Sequence, residues 1–69
     1  MNRDFLIRRI AQLARNQEKD FHFDKSRGKG SHGTIYYDGK RSVCPKGELK
    51  KGTLLKILKD LGINKDILR

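Results

Sequence analysis

One histidine of the chain stands where it could act on a bound anion. His32 lies within residues 28–40, which read G-K-G-S-H-G-T-I-Y-Y-D-G-K. Arg27, Lys29 and the adjoining glycines precede it, so cations and backbone amides could converge on a phosphate beside the imidazole. Imidazole exchanges a proton near neutral pH, as acid/base catalysis requires. Taken alone, however, a histidine at a strand end is more often a solvated residue than a catalytic one.

Two lysines form a second candidate for anion binding. Lys50 and Lys51 open the last predicted helix, where free amides and the helix dipole favour anions. A capped, solvated helix start explains the same residues equally well.

Two aromatic residues are possible auxiliaries to His32. His22 alternates outward on the preceding predicted strand, where a solvated polar residue is the better explanation, although it could serve as an acid/base partner. Tyr36 and Tyr37 fall on opposite faces of one strand, so one belongs to the core and the other could stack on a base.

The net charge of +9, from 17 Lys and Arg against 8 Asp and Glu, favours a polyanionic partner. An acidic protein or an anionic membrane surface would also fit. A membrane is the weakest of these, because no apolar run approaches a span and the first residues show no secretory signal. The single cysteine, Cys44, excludes an internal disulfide and fits a reducing cytoplasm. One cysteine and two histidines give no metal-ligand spacing, so no cofactor is expected.

The order of elements predicts an α+β fold in one small domain covering residues 1–69. A helix from Asn2 to about residue 17 carries an apolar stripe with most of its arginines, Arg3 included, outside it. Alternation predicts strands near residues 20–24, 32–37 and 40–44, joined by a basic loop at 26–31. A second helix follows from about residue 50 to 61, with Gly62 as its stop. The result is α-β-β-β-α, with two helices on one face of a three-stranded antiparallel sheet.

The Asp38-Gly39 pair sets the register of the last two strands. A two-residue turn would pair Tyr37 with Lys40 and leave His32, Thr34, Tyr36 and Val43 on the uncovered face. A three-residue loop would shift the register by one residue. The tight turn is the preferred prediction. Gly33, inside a strand, indicates that another backbone or a ligand comes close.

The combined pattern resembles the HicA family of toxin ribonucleases over nearly the whole chain. It is carried by G-S-H at 30–32, D-G-K at 38–40, C-P at 44–45 and E-L-K-K-G-T-L at 48–54, followed by Ile57-Leu58 and Gly62. The resemblance implies a double-stranded-RNA-binding-domain-like fold and ribosome-independent cleavage of messenger RNA, with His32 as the catalytic residue. It also implies neutralisation by a cognate HicB antitoxin that covers the active site.

Three positions depart from the family pattern. Gly33 replaces a second histidine or a bulky residue, which could alter how substrate is held. Lys51 replaces a proline before G-T-L, and Cys44 replaces a strand valine. The last two changes look tolerable, because lysine adds charge at a helix start and cysteine is a small hydrophobe.

Without a metal, RNA can be cleaved by its own 2′-hydroxyl, with His32 as base or acid. Residues Arg27, Lys29, Gly30, Ser31, Lys50 and Lys51 are the candidate phosphate-binding set. Among them Arg27, Lys29 or Lys51 could stabilise the transition-state charge. A non-catalytic RNA-binding module of the same fold is the alternative. A basic adaptor for an acidic protein is a third possibility.

Overall fold

The computed structural model describes residues 1–25 and 32–68, and it confirms the predicted order of elements. The elements are α1 (Arg3–Gln17), β1 (Phe21–Lys25), β2 (Gly33–Tyr37), β3 (Lys40–Cys44), α2 (Lys51–Leu61) and a short 3₁₀ turn (Lys65–Leu68). The predicted bounds hold to within a residue. His32 stands just before β2 rather than inside it, and Lys50 is the N-cap of α2 rather than its first residue.

The three strands form one antiparallel sheet in the order β1-β2-β3. Tyr37 pairs with Lys40, which confirms the tight turn and excludes the three-residue loop. Asp38 and Gly39 both have positive φ, at 51° and 79°, as a two-residue hairpin turn of the primed type requires.

Alternation along the strands separates an inner face from an outer one. Ile35, Tyr37, Ser42 and Cys44 point inward and are buried, while Val43 is 60% exposed on the outer face. Both helices cover the inner face, α1 against β1 and α2 against β3. The apolar stripes of the helices and these strand residues form one cluster, which contains Leu6, Ile10, Ala14, Ile35, Tyr37, Cys44, Leu49, Leu54, Ile57, Leu58, Leu61 and Ile63. The arrangement is consistent with the expected double-stranded-RNA-binding-domain-like fold.

The helix ends are capped by nearby groups, and Gly62 ends α2 as predicted. The side chain of Asn2 accepts a hydrogen bond of 2.9 Å from the backbone amide of Phe5. Gly62 ends α2 with φ of 69°, and the amide of Ile63 returns to the carbonyl of Leu58 at 2.9 Å. Asn64 then caps the short final turn through its side-chain oxygen.

The two helices begin at the same end of the sheet. The amide of Arg3 donates to the carbonyl of Gly47, and Asn2 forms a bridge with Glu48, so the start of α1 lies beside the segment that leads into α2. Since α1 runs antiparallel to β1, and α2 follows the end of β3, both helix N-termini lie where β2 begins. This is the end that carries His32.

Neither helix, among the residues that the structure describes, combines the length and apolar character needed to cross a bilayer.

Candidate functional site

The open face of the sheet carries His32 at one end. Its side chain is exposed, and it directly precedes Gly33, which is buried on the inner side. The residues of β2 that follow alternate in the predicted way, with Thr34 and Tyr36 outward. His32 is therefore accessible from the side of the sheet that the helices leave uncovered.

Gly33 is required because the space beside it is already filled from within. A Cβ at this position would lie 2.5 Å from Cζ of Phe23 and 3.2 Å from the carbonyl oxygen of Asp24. The predicted close approach comes from the inner side, where the neighbours are the Phe23 ring and the backbone of Asp24. A side chain at position 33 would point toward the helices, so the substitution of the family's bulky residue by glycine removes nothing from the outer face.

Arg3 packs against the same Phe23 ring, and its burial was not predicted. Its guanidinium lies 5.1 Å from the centre of the Phe23 ring, and the residue is only 8% exposed. The expectation that it would lie outside the buried side of α1 is wrong, because Arg3 stands three residues before Leu6 and seven before Ile10, on the same side of the helix. Arg3, Phe23 and Gly33 form an inner stack behind the backbone that follows His32. Gly33 inside a strand and the spacing of Arg3 from Leu6 were its signals in the sequence.

The end of the sheet that carries His32 bears exposed lysines, together with the carboxylates of Asp4 and Glu48. Lys50 and Lys51 are exposed at the start of α2, which in the described residues has no acidic group in its first turn and no side-chain cap at Lys50. The positive ends of both helix dipoles point to this end. Lys25, paired with Gly33, adds an exposed cation. The geometry thus supports anion binding near His32.

The remaining predicted phosphate-binding residues, Arg27, Lys29, Gly30 and Ser31, lie outside the described residues.

His22 and Tyr36 are neighbours on the outer face but form a separate part of the site. They pair directly across β1 and β2, and their rings stack with centroids 5.9 Å apart and planes inclined by 30°. Tyr36 follows His32 by four residues, which in an extended strand corresponds to about 13 Å. The stacked pair is thus placed to contact a different part of a ligand from the part near His32.

Cys44 takes no part in the outer face. It is fully buried, and burial raises the pKa of its thiol, an effect that the nearby Arg3 guanidinium partly opposes. The thiol is therefore a small core group, as the sequence predicted. In the described part of the chain, no three His, Cys, Asp or Glu side chains lie close enough together to hold a metal ion.

Comparison with known protein families gives one match. The family model described as the HicA toxin of bacterial toxin-antitoxin systems matches residues 17–63, more than half of the chain. The matched region contains all three strands and α2, and it includes His32. No curated protein and no solved structure matches the chain.

Proposed function

We propose that this chain, which belongs to the HicA toxin family of bacterial toxin-antitoxin systems, is a metal-independent endoribonuclease that cleaves messenger RNA. The observation that carries the proposal is the position of His32. It is exposed on the open face, at the end where two helix N-termini and exposed lysines gather, and it lies within the family match.

The reaction requires only proton transfer and charge stabilisation. The 2′-hydroxyl of one ribose attacks the adjacent phosphorus, and the bond to the 5′-oxygen of the next nucleotide breaks. The proton leaves the 2′-oxygen and a proton reaches the departing 5′-oxygen, which gives a 2′,3′-cyclic phosphate and a 5′-hydroxyl. The imidazole of His32 carries one of these two transfers.

Cations near His32 would stabilise the charge that develops on the phosphorane, which is usually the largest catalytic contribution. Lys50 and Lys51 support this role because they are exposed at the start of α2. Arg27 and Lys29 are assigned to the same role from their closeness to His32 in sequence, with the amides of Gly30 and Ser31 as further donors to phosphate.

A cognate antitoxin is implied by the family. We propose that it is of the HicB type and that it inhibits by covering His32. The basis is charge: a chain of net charge +9 with an open, lysine-rich end offers a natural docking surface for an acidic partner.

The test is incubation of antitoxin-free protein with a defined RNA in EDTA, beside His32→Ala and His22→Ala. We expect cleavage by the wild-type protein, with cyclic-phosphate and 5′-hydroxyl ends. At saturating RNA, His32→Ala should lower the rate about 10²- to 10⁴-fold. His22→Ala, the matched histidine on the same face, should lose far less of the rate at saturating RNA, because it lies away from the reacting phosphate and any effect on RNA binding falls on KM.

Both histidines are exposed, so neither variant should lose more than about 0.5 kcal/mol of stability, which thermal unfolding would check. Cleavage that requires magnesium, or that persists in His32→Ala, would refute the mechanism. RNA binding without cleavage in any form would instead indicate the non-catalytic RNA-binding module. Binding only to an acidic protein would indicate an adaptor.

A further inference from the structure

Three side chains form a continuous row across the outer face of the sheet. The register pairs His22 with Tyr36 and Tyr36 with Arg41, so one residue comes from each strand. Directly paired residues on one face have Cβ atoms about 4.5–5.5 Å apart. The rings of His22 and Tyr36 already stack at 5.9 Å between centroids. The register therefore places two aromatic residues and an arginine at adjacent positions on the outer face.

The fold does not require this row. Tyr36 is 36% exposed, whereas the adjacent Tyr37 is 7% exposed and belongs to the core. His22 and Arg41 are also exposed. Histidine, tyrosine and arginine are the side chains on which unpaired bases stack in RNA-binding proteins, and such stacking needs an accessible ring face.

A shallow groove runs from Tyr36 over the free edge of β3 toward α2. Its walls include Arg41 and Val43 of β3 and Lys56 and Asp60 of α2. The carboxylate of Asp60 accepts hydrogen bonds from the Ser42 hydroxyl at 3.0 Å and from Lys56 at 3.4 Å, which offsets its charge. Because Lys56 offsets the charge of Asp60, Arg41 supplies the net positive charge of the groove beside the ring, where a backbone phosphate could bind.

We propose that the row His22-Tyr36-Arg41 is a stacking site for an unpaired nucleobase of the RNA substrate, with Arg41 contacting the adjoining phosphate. The proposal rests on the proposed function in so far as the ligand is RNA. It adds that the substrate is single-stranded at this point, because both faces of a base inside a duplex are covered by its stacked neighbours.

The site is offset from the reacting phosphate. Four residues of β2 separate Tyr36 from His32, or about 13 Å at the usual strand rise. Successive stacked bases are about 3.4 Å apart along one strand, so in a stacked strand this base lies roughly four nucleotides from the cut, and in a more extended strand it lies nearer. A base preference at that position would follow from stacking strength.

The first experiment measures binding without cleavage. The probe is a short fluorescent 2′-O-methyl RNA of mixed sequence, which lacks the attacking hydroxyl, used single-stranded and annealed to its complement. Tyr36→Ala should weaken single-strand binding roughly 5- to 150-fold, while Tyr36→Phe should retain most of it. Duplex binding should be weaker than single-strand binding and should not respond to Tyr36→Ala.

The matched control is Phe5→Ala, which removes an aromatic ring that is 43% exposed on α1, away from the outer face. We expect it to leave single-strand binding unchanged. The stacking site is overturned if Tyr36→Ala does not weaken single-strand binding, or weakens it no more than Phe5→Ala does. It is also overturned if the duplex binds as tightly as the single strand.

A second experiment scans an abasic nucleotide along a cleavable RNA. One position, a few nucleotides from the cut, should raise KM in the wild-type protein and have no further effect in Tyr36→Ala. If the abasic nucleotide and Tyr36→Ala raise KM additively at every position, Tyr36 does not contact a base directly.

The two experiments separate this inference from the proposed function. If the wild-type protein does not cleave RNA but its binding depends on Tyr36, the ribonuclease proposal fails and the stacking site stands. If cleavage depends on His32 while Tyr36→Ala changes neither binding nor KM, the stacking site fails and the ribonuclease stands.

Discussion

Gly33→Ala tests whether the inner stack positions the start of β2. The added Cβ would lie 2.5 and 2.7 Å from two ring carbons of Phe23, distances that no Cβ tolerates without movement. The carbonyl oxygen of Asp24, at 3.2 Å, limits movement of the strand itself. The Phe23 ring must therefore move, and Arg3 packs over it at 5.1 Å.

The expected loss of stability combines two opposing effects. Overpacking a well-filled site costs about 1–3 kcal/mol. Replacing a strand glycine by alanine recovers about 0.5–1 kcal/mol through reduced backbone entropy in the unfolded chain. The two ranges together leave a net loss between 0 and about 2.5 kcal/mol. The 2.5 Å contact with the Phe23 ring places Gly33→Ala in the upper part of that range, about 1–2.5 kcal/mol, which for a domain of this size lowers the melting temperature by about 4–20 °C.

Urea unfolding of a double-mutant cycle provides the assay. Phe23→Leu should cost stability alone, but it should relieve part of the loss in Gly33→Ala, so the two effects should be non-additive by more than about 0.5 kcal/mol. Additive effects, or a Gly33→Ala protein as stable as the wild type, would refute the argument that the Phe23 ring excludes a side chain at position 33.

Gly33→Ala also tests whether the start of β2 positions His32 for cleavage. Because His32 directly precedes Gly33, a displaced strand start should lower the rate of RNA cleavage at saturating substrate, even at a temperature where Gly33→Ala is fully folded. Full activity in the folded variant would mean that the backbone after His32 is positioned by something other than this stack.

Two further changes probe the core and a helix end. Asn2→Ala removes the hydrogen bond to the amide of Phe5 and should cost about 1 kcal/mol in urea unfolding, whereas Asn2→Asp should retain most of the stability. Burial raises the pKa of the Cys44 thiol, so the stability it contributes is fully present below the ordinary thiol pKa and is lost as the pH rises through the raised value. Above about pH 8.5, wild-type stability should therefore fall more steeply with pH than that of Cys44→Ala. Parallel pH profiles of the two proteins would contradict this.

The fold could be predicted from the sequence because its signals are local. The Asp38-Gly39 pair determines the turn, and the turn determines the register of two strands. The ends of the helices could be predicted for the same reason, since Asn2 and Gly62 interact with backbone groups only a few residues away.

The inner stack could not be predicted because it depends on three segments at once. Helical spacing from Leu6 places Arg3 on the buried side of α1, but its charge led to the expectation that it would be exposed, and the Phe23 ring that accepts it lies on another segment. Position 33 is likewise restricted to glycine by the Phe23 ring, which belongs to a different strand. Glycine in a strand revealed that something lies close to it, but nothing in the local sequence distinguishes a ligand outside from Phe23 inside.

Because side chains alternate along β2, its two faces have different roles: one packs against the helices and the other is exposed. Gly33, Ile35 and Tyr37 face the helices and hold the strand in place, whereas Thr34 and Tyr36 face outward with His32. A side chain that assists His32 must therefore come from the outer face, from the loop before it or from the start of α2, and not from position 33. The departure from the family pattern at Gly33 consequently bears on how firmly His32 is held, while the contacts to RNA are left to the residues that alternate with it.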